Sequence, residues 1–455
     1  MKALREKVEG QVILPGEGGY DAARRVWNGA IDRRPAAIVR CTSVDDVAAS
    51  VRFAREKDLL IAVRGGGHNV AGTGTCDGGI VIDLSPMKEV RLDATTRMAA
   101  AQPGLLWRDL DAETQKAGLA VTGGIVSTTG IAGFTLGGGI GWLHRPFGLT
   151  VDNLLAADVV TATGDVVHAS EQVNPDLLWG LRGGGGNFGI VTNFDFRLHP
   201  VGPQVMAGLV FFKSDHLVPV VSGYREIMAS APDRLTLLLV LRKAPPAPFL
   251  APEVHGQPVV AIVGCYAGPL DEGARALAPL AELAPTVANL MQPRTYTQFQ
   301  SMLDGSWVEG FGNYWKAEYL TGIPDDALPI LAEHLEGITS PLSDFKFAAL
   351  GGAAGRVAPG ATAFAHRTAP FVLNINSRWA LPGDPDPHVA WTRKLWEAMR
   401  PFSAGGAYVN FLGDEGPDRV RAAYGEPTYQ RLVSLKKAYD PDNAFRLNQN
   451  IRPEA

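Results

Sequence analysis

The sequence predicts an α+β protein in two parts, and three observations carry that reading. A strand–helix–strand pattern fills residues 36–63. Three glycine clusters, each next to a strand, lie between residues 65 and 189. Beyond His199-Pro200 the chain changes to longer alternations of strand and helix, which suit a mainly antiparallel sheet covered by helices. The expected division is 1–203 for a first domain, 204–407 for a second, and 408–455 for a C-terminal segment returning to the first.

Taken in order, Ala36–Arg40 reads as a short strand. Ser43-Val44-Asp45-Asp46 is a capping box, followed by Val47, Val51 and Ala54 at helical spacing, so a helix should run to about Lys57. Leu59–Val63 is an apolar run suited to a strand buried on both faces, and it closes a βαβ unit. It leads into Arg64-Gly65-Gly66-Gly67-His68-Asn69. Three glycines remove every Cβ there, so backbone N–H groups can line an anion-sized hollow beside an imidazole. No helical pattern follows, which separates this loop from Walker and Rossmann glycine loops. The stretch alone fits a tight turn with a packed histidine equally well.

Strands are expected at Gly79–Leu84 and Arg97–Ala101, then a helix from about Leu106 to Lys116 ended by Gly118. The second glycine cluster comprises Gly130, Gly133, Gly137, Gly138, Gly139, Gly141 and Gly148. It is interleaved with Ile131, Phe134, Leu136, Ile140 and Trp142, which a solvated linker would not carry, so backbone pressed against a large planar ligand is expected. A hairpin follows around Thr163-Gly164-Asp165. The third cluster, Gly183–Gly186 with Asn187-Phe188-Gly189, precedes a strand over Ile190–Leu198. In the second part, strands are expected near 205–213, 234–242, 259–266, 345–350 and 371–379, with helices near 271–283, 325–336 and 388–400. The tail carries a helix near Tyr429–Ala438 and a turn at Asp440-Pro441-Asp442-Asn443.

Composition narrows the function. The 455 residues are 46% hydrophobic and 20% charged, ordinary for a soluble protein. A net charge of −5 without a basic stripe argues against nucleic-acid binding. Cys41, Cys76 and Cys265 are too few and too scattered for a disulfide framework or a CxxC site. HExxH and GxSxG are absent, so neither a zinc hydrolase nor an α/β-hydrolase is expected, and no metal site. Residues 1–20 lack an apolar signal core, and no long apolar run suggests a membrane span, which makes the expected location cytoplasmic.

Six segments in order resemble the berberine-bridge-enzyme-like family of FAD-linked oxidases, within the vanillyl-alcohol-oxidase-type flavoproteins. They are Arg64–His68, the glycine run 130–141, Phe147-Gly148-Leu149 with Asp152-Asn153, Asn187–Val191, Tyr408-Val409-Asn410, and Asp440-Pro441 through Asn448-Gln449-Asn450. The resemblance implies a two-part FAD-binding domain of the PCMH type and FAD as cofactor. It implies that His68 bonds covalently to the flavin 8α carbon, and a neutral imidazole near pH 7 suits that attack.

By the same resemblance, Arg64, Gly65, Gly66, Gly67 and Asn69, with Gly130, Gly133, Gly137, Gly138 and Gly141, hold the cofactor. Gly189 and Val191 border its adenosine half, Asn448 and Asn450 reach polar edges of the isoalloxazine, and Asn410 is a further cofactor contact. Relatives with two flavin links carry a second attachment cysteine at the position of Val126, so a single link is expected, as in the branch similar to 6-hydroxy-D-nicotine oxidase. Thr129 matches the position that controls dioxygen access.

The implied activity is hydride transfer from a small-molecule alcohol, sugar or amine, with O2 as acceptor giving H2O2. A flavin-dependent oxygenase or cyclase and a catalytically disabled flavin carrier are the competing readings. Tyr408 is the expected base, its phenol depressed from about 10. Relatives with a carboxylate base on a substrate-domain strand are not matched by Phe345–Leu350, which offers Lys346 instead. Trp142, Lys346 and Trp379, with Tyr296, Tyr319 and His366, are candidate pocket walls.

Overall fold

The computed structural model describes residues 1–454. Its first part holds two small sheets. One is four-stranded, in the order Gln11–Ile13, Ala37–Arg40, Ile80–Asp83, Ile61–Arg64, the last three parallel. The helix expected after Ser43 spans Val44–Glu56, with the Ser43 side chain accepting the Asp46 N–H. Its apolar face, Val47, Val51 and Ala54, packs on the strands and closes the βαβ unit.

The second sheet is antiparallel, in the order Val90–Asp93, Met98–Ala101, Ile190–Arg197, Leu154–Val160, Val166–Ser170. Its outer pair is the expected hairpin. The helix Trp107–Thr114 continues as a tighter turn to Ala117 and stops at Gly118, whose φ of +65° ends it.

The large sheet is antiparallel throughout. It runs Thr286–Asn289, Gln204–Lys213, Pro258–Tyr266, Leu235–Lys243, Asp344–Ala349, Phe371–Trp379, Gly312–Leu320, and Gln292–Thr295 also pairs with Gln204–Lys213. All five strands expected in this part are present. Alternation sends Leu237, Leu239, Phe345, Phe347, Leu373 and Ile375 into a core under the helices Leu217–Ser230, Leu328–Glu336 and Asp386–Met399. The opposite face looks toward the glycine loops.

Several elements exceed the expectation. The strand Gly312–Leu320 was not foreseen, and neither was the helix Leu217–Ser230, whose Pro219 and valines are poor helix formers that burial overrides. The second glycine cluster begins with a short helix, Ile131–Leu136, rather than a plain loop. The tail carries helices Pro417–Tyr424 and Glu426–Tyr439. In the last turn of the second, Lys436 is wholly buried and donates to Asn187 O, Asp440 Oδ2 and Phe445 O at 2.7–2.9 Å. Asp440 in turn accepts the Ala444 and Phe445 N–H groups, so the Asp-Pro turn aims residues 447–449 back at the glycine loops. No helix among the described residues is long and apolar enough to cross a membrane.

Candidate active site

A cavity of about 310 Å³ lies between the small sheets and the large one, and all three glycine clusters reach it. The strand Ile61–Arg64 ends at its lip. Arg64 pairs in register with Asp83, and their side chains form a buried ion pair at 2.7 Å. This neutralises the guanidinium and leaves the loop backbone to line the cavity. Gly66 and Gly130 touch backbone to backbone, for a Cβ on Gly66 would sit 2.6 Å from Gly130 N. Gly67 takes φ +65°, which turns the chain into His68.

His68 stacks on Trp27, ring centroids 4.4 Å apart and 19° from parallel. Its Nε2 is buried with no hydrogen-bond partner. Burial pushes the imidazole down to about 4, with Arg378 adding to the effect, so it is neutral at physiological pH. No protein group competes for that nitrogen.

Of the expected cofactor residues, Arg64, Gly65, Gly66, Gly67, His68, Asn69, Val126, Thr129, Gly130, Gly133, Gly189, Val191, Asn410 and Asn448 all line the cavity, as do Tyr408 and Lys346. Gly133 and Gly186 have nothing within 4 Å of where a Cβ would stand, so their openness faces space. Asn448 donates to Gly186 O and Phe445 O while its Oδ1 stays buried and unpartnered.

Nine expected site residues lie elsewhere, for identifiable reasons. A Cβ at Gly137 would meet Asn410 Oδ1 at 2.0 Å, one at Gly138 would meet Phe364 at 2.4 Å, and one at Gly141 would meet Gly123 O at 1.7 Å. These glycines admit other parts of the chain, not a ligand. Asn450 sits behind the lining, its Oδ1 buried and unpartnered. Trp142 packs on Phe299 inside an apolar cluster, centroids 4.8 Å apart. Trp379 stacks on His388 at 5.3 Å, against Gly312. Tyr296 and Tyr319 are core residues, and His366 stacks on Tyr319.

Tyr408 is fully buried, and its Oη accepts three N–H groups: Gly139 at 2.9 Å, Ile140 at 3.2 Å and Asn410 Nδ2 at 2.7 Å. The three donors favour a phenolate, yet burial outweighs them and pushes the phenol up to about 12, opposite to the depression expected from sequence. Asn410 also donates to Phe134 O, which fixes its amide.

The large sheet, the loop before its strand Gly312–Leu320 and the tail contribute residues that sequence reasoning missed. Trp307 and Trp315 form a wall, rings edge to face at 5.9 Å, and Phe411 packs edge-on against Trp315. Asn374 lies directly opposite Lys346. A signal for it existed, since Asn374 and Asn376 alternate with the apolar Leu373 and Ile375. Trp27 had none, lying in a lead segment without pattern.

Comparison with known proteins agrees with this geometry. A family model described as an FAD binding domain matches residues 35–170, and one described as berberine and berberine like matches 407–452. The (R)-6-hydroxynicotine oxidase of Paenarthrobacter nicotinovorans is 33% identical across 98% of this chain and 97% of its own. This chain belongs to the berberine-bridge-enzyme-like FAD-linked oxidoreductases. The berberine-bridge-enzyme-like fold is shared with the crystal structure of 6-hydroxy-D-nicotine oxidase from Arthrobacter nicotinovorans (TM-score 0.89, 30% identity, 98% of each chain). It is also shared with the BBE-like 1 protein of Physcomitrella patens (TM-score 0.89, 25% identity, 100% of this chain and 99% of the other). The chain is therefore an FAD-dependent oxidoreductase, and the residues present fit that cofactor: open glycines, an orphaned imidazole nitrogen and an orphaned amide oxygen line one cavity.

Proposed function

We propose that the protein is an oxidase carrying FAD through a single covalent bond to His68. The observation that carries this is the His68 imidazole: buried, neutral, held by Trp27, with an Nε2 that no protein group engages. A neutral imidazole has the lone pair that bond formation needs. The single link follows from Val126, which cannot form a thioether, and from the cysteines: Cys41, Cys76 and Cys265 are buried and none lines the cavity.

FAD, when bound, supplies the hydride acceptor and lets dioxygen take the electrons as H2O2. The chain's own work is to bind, orient and deprotonate. The first and second glycine loops would hold the cofactor from one side, with Gly189, Val191 and Asn448 completing the cradle. Trp307 and Trp315 would orient a small-molecule substrate from the other. The substrate loses a C–H hydride and one proton from the adjacent O–H or N–H, becoming a carbonyl or imine. Tyr408 would take that proton in its deprotonated form, which the three N–H donors converging on Oη favour and which burial, pushing the phenol up to about 12, opposes. Thr129, small and at the lining, leaves a path for dioxygen.

The test is to precipitate the purified protein with acid and locate the yellow colour. Colour in the pellet, with one FAD mapped to the His68 peptide by mass spectrometry, is expected. Colour released to the supernatant refutes the covalent link.

A further inference from the structure

The charge inventory of the cavity points to a substrate class. Along the strands Leu235–Lys243, Asp344–Ala349 and Phe371–Trp379, alternation turns Arg242, Asp344, Lys346, Asn374, Asn376 and Arg378 to the face that looks toward the glycine loops. Arg242 stands opposite Asp344, Asp344 opposite Asn376, and Lys346 opposite Asn374. Three cations thus share one carboxylate. Arg378 spends its guanidinium on the carbonyls of Ser306 and Val308, which carry no formal charge.

Lys346 lines the cavity, 3.0 Å from Asp344 Oδ1 and 4.0 Å above the centroid of Trp307. The pairing with Asp344 is one of charge, since Asp344 Oδ1 accepts no hydrogen bond, and the ammonium keeps N–H groups for a ligand. The contrast with Lys436 is direct, since that buried ammonium has three oxygens around it. Burial and the neighbouring arginines push the Lys346 ammonium below its ordinary range, a sign that its charge is under-compensated. Beside it, Asn374 is 2% exposed, lines the cavity, accepts from Asn376 at 2.9 Å and leaves its Nδ2 without a partner. No Asp or Glu lines the cavity among the described residues.

Resting on the oxidase reading above, we infer that this cavity takes a substrate bearing an anionic oxygen (a carboxylate, phenolate or enolate) on a flat unsaturated body. Lys346 Nζ and Asn374 Nδ2 bind the oxygen, Trp307 and Trp315 flank the body, and a cationic amine is rejected. An entering anion supplies the missing charge, whereas a cation adds to an excess already buried.

Calorimetric titration of the flavin-loaded protein at neutral pH with 2-naphthoate, 2-naphthamide and (2-naphthyl)methylamine tests this. Naphthoate is expected to bind about tenfold or more tighter than the amide, and the amine to show no saturable binding. Lys346→Met should erase the preference for naphthoate over the amide, and Lys346→Arg, which keeps the charge, should retain most of it. The ranking in the unaltered protein stands even if Lys346→Met fails to fold. Amine binding as tight as naphthoate, no naphthoate binding, or an unchanged preference in a folded Lys346→Met protein overturns the inference. Acid precipitation of the same preparations reads the covalent flavin separately. A coloured pellet with an amine-preferring cavity overturns the substrate class alone. A released flavin with an anion-preferring cavity overturns the covalent link alone.

Discussion

Tyr408→Phe separates what the phenol does for the fold from what it does for the reaction. The ring is held edge-on by Phe411 at 4.8 Å and Phe364 at 6.0 Å, so phenylalanine fills the slot with one oxygen missing. That oxygen is the acceptor for two buried backbone N–H groups, Gly139 and Ile140, and for the Asn410 amide, which keeps Phe134 O as a second partner. Each buried N–H left without an acceptor costs about 1–3 kcal/mol, so two cost roughly 2–6 kcal/mol. At about 2–4 °C per kcal/mol for a domain of about 200 residues, the melting temperature should fall by roughly 4–24 °C.

The chemical effect is distinct. If Oη receives the substrate proton, its loss slows flavin reduction by about 10²–10⁴ at temperatures where the variant is fully folded. Burial pushes the phenol up to about 12, and a base must be deprotonated to act. The reduction rate of the unaltered protein should therefore climb with pH across the neutral and alkaline range, and the variant should lose that climb. Stopped-flow reduction at several pH values, paired with scanning calorimetry, reads both. A variant that melts within about 2 °C of the parent refutes the hydrogen-bond accounting. One that is less stable but reduces at the parental rate with the parental pH profile leaves Tyr408 a structural residue and sends the proton elsewhere.

Two further outcomes follow from the same contacts. Gly66→Ala places a Cβ 2.6 Å from Gly130 N, so the first and second glycine loops must part. About 1–3 kcal/mol of stability and most of the bound FAD should be lost, measured by melting and by the 450 nm absorbance per protein, and full flavin content would contradict the close approach. His144 is fully buried between Gly141 O and Ala349 O, and burial lowers it to about 4. The unfolded chain gains a proton near 6.5 that the folded chain refuses until about 4, so stability falls as pH drops through that window, by up to about 3 kcal/mol from this residue. The acid-side slope of melting temperature against pH should flatten in His144→Gln, and an unchanged slope would assign it to other groups.

The sequence made the first part of the fold legible because local signals there agree with the tertiary structure. Ser43 caps the helix it precedes, Gly118 ends the next one, and the apolar run before Arg64 is a buried parallel strand. The five strands found in the second part were long enough to show their own alternation. What stayed hidden depends on non-local packing. The helix Leu217–Ser230 carries Gly223 because Leu283 from a distant segment presses on it, within 2.2 Å of where a Cβ would stand. Trp27 matters only because the fold lays it on His68. Trp142 and Trp379 share the composition of pocket walls, but aromatic identity does not say which side of a sheet a ring faces.

The glycine clusters show most clearly where sequence reading stops. Dense glycine reports that something approaches the backbone closely, without saying whether it is ligand or chain. Around Gly133 and Gly186 the neighbouring volume is open, so those positions leave room beside the backbone. At Gly137 and Gly138 the visitors are Asn410 and Phe364, while Gly139 N–H and Ile140 N–H grip Tyr408 Oη. The second glycine run and Tyr408-Val409-Asn410 are therefore one unit, split by more than half the chain: the missing side chains of the run make the socket, and the tail motif is what fills it. Each motif read alone suggests cofactor contact. Together they explain why a side chain added at Gly137 should disturb Tyr408 through Asn410 even though Gly137 itself never reaches the cavity.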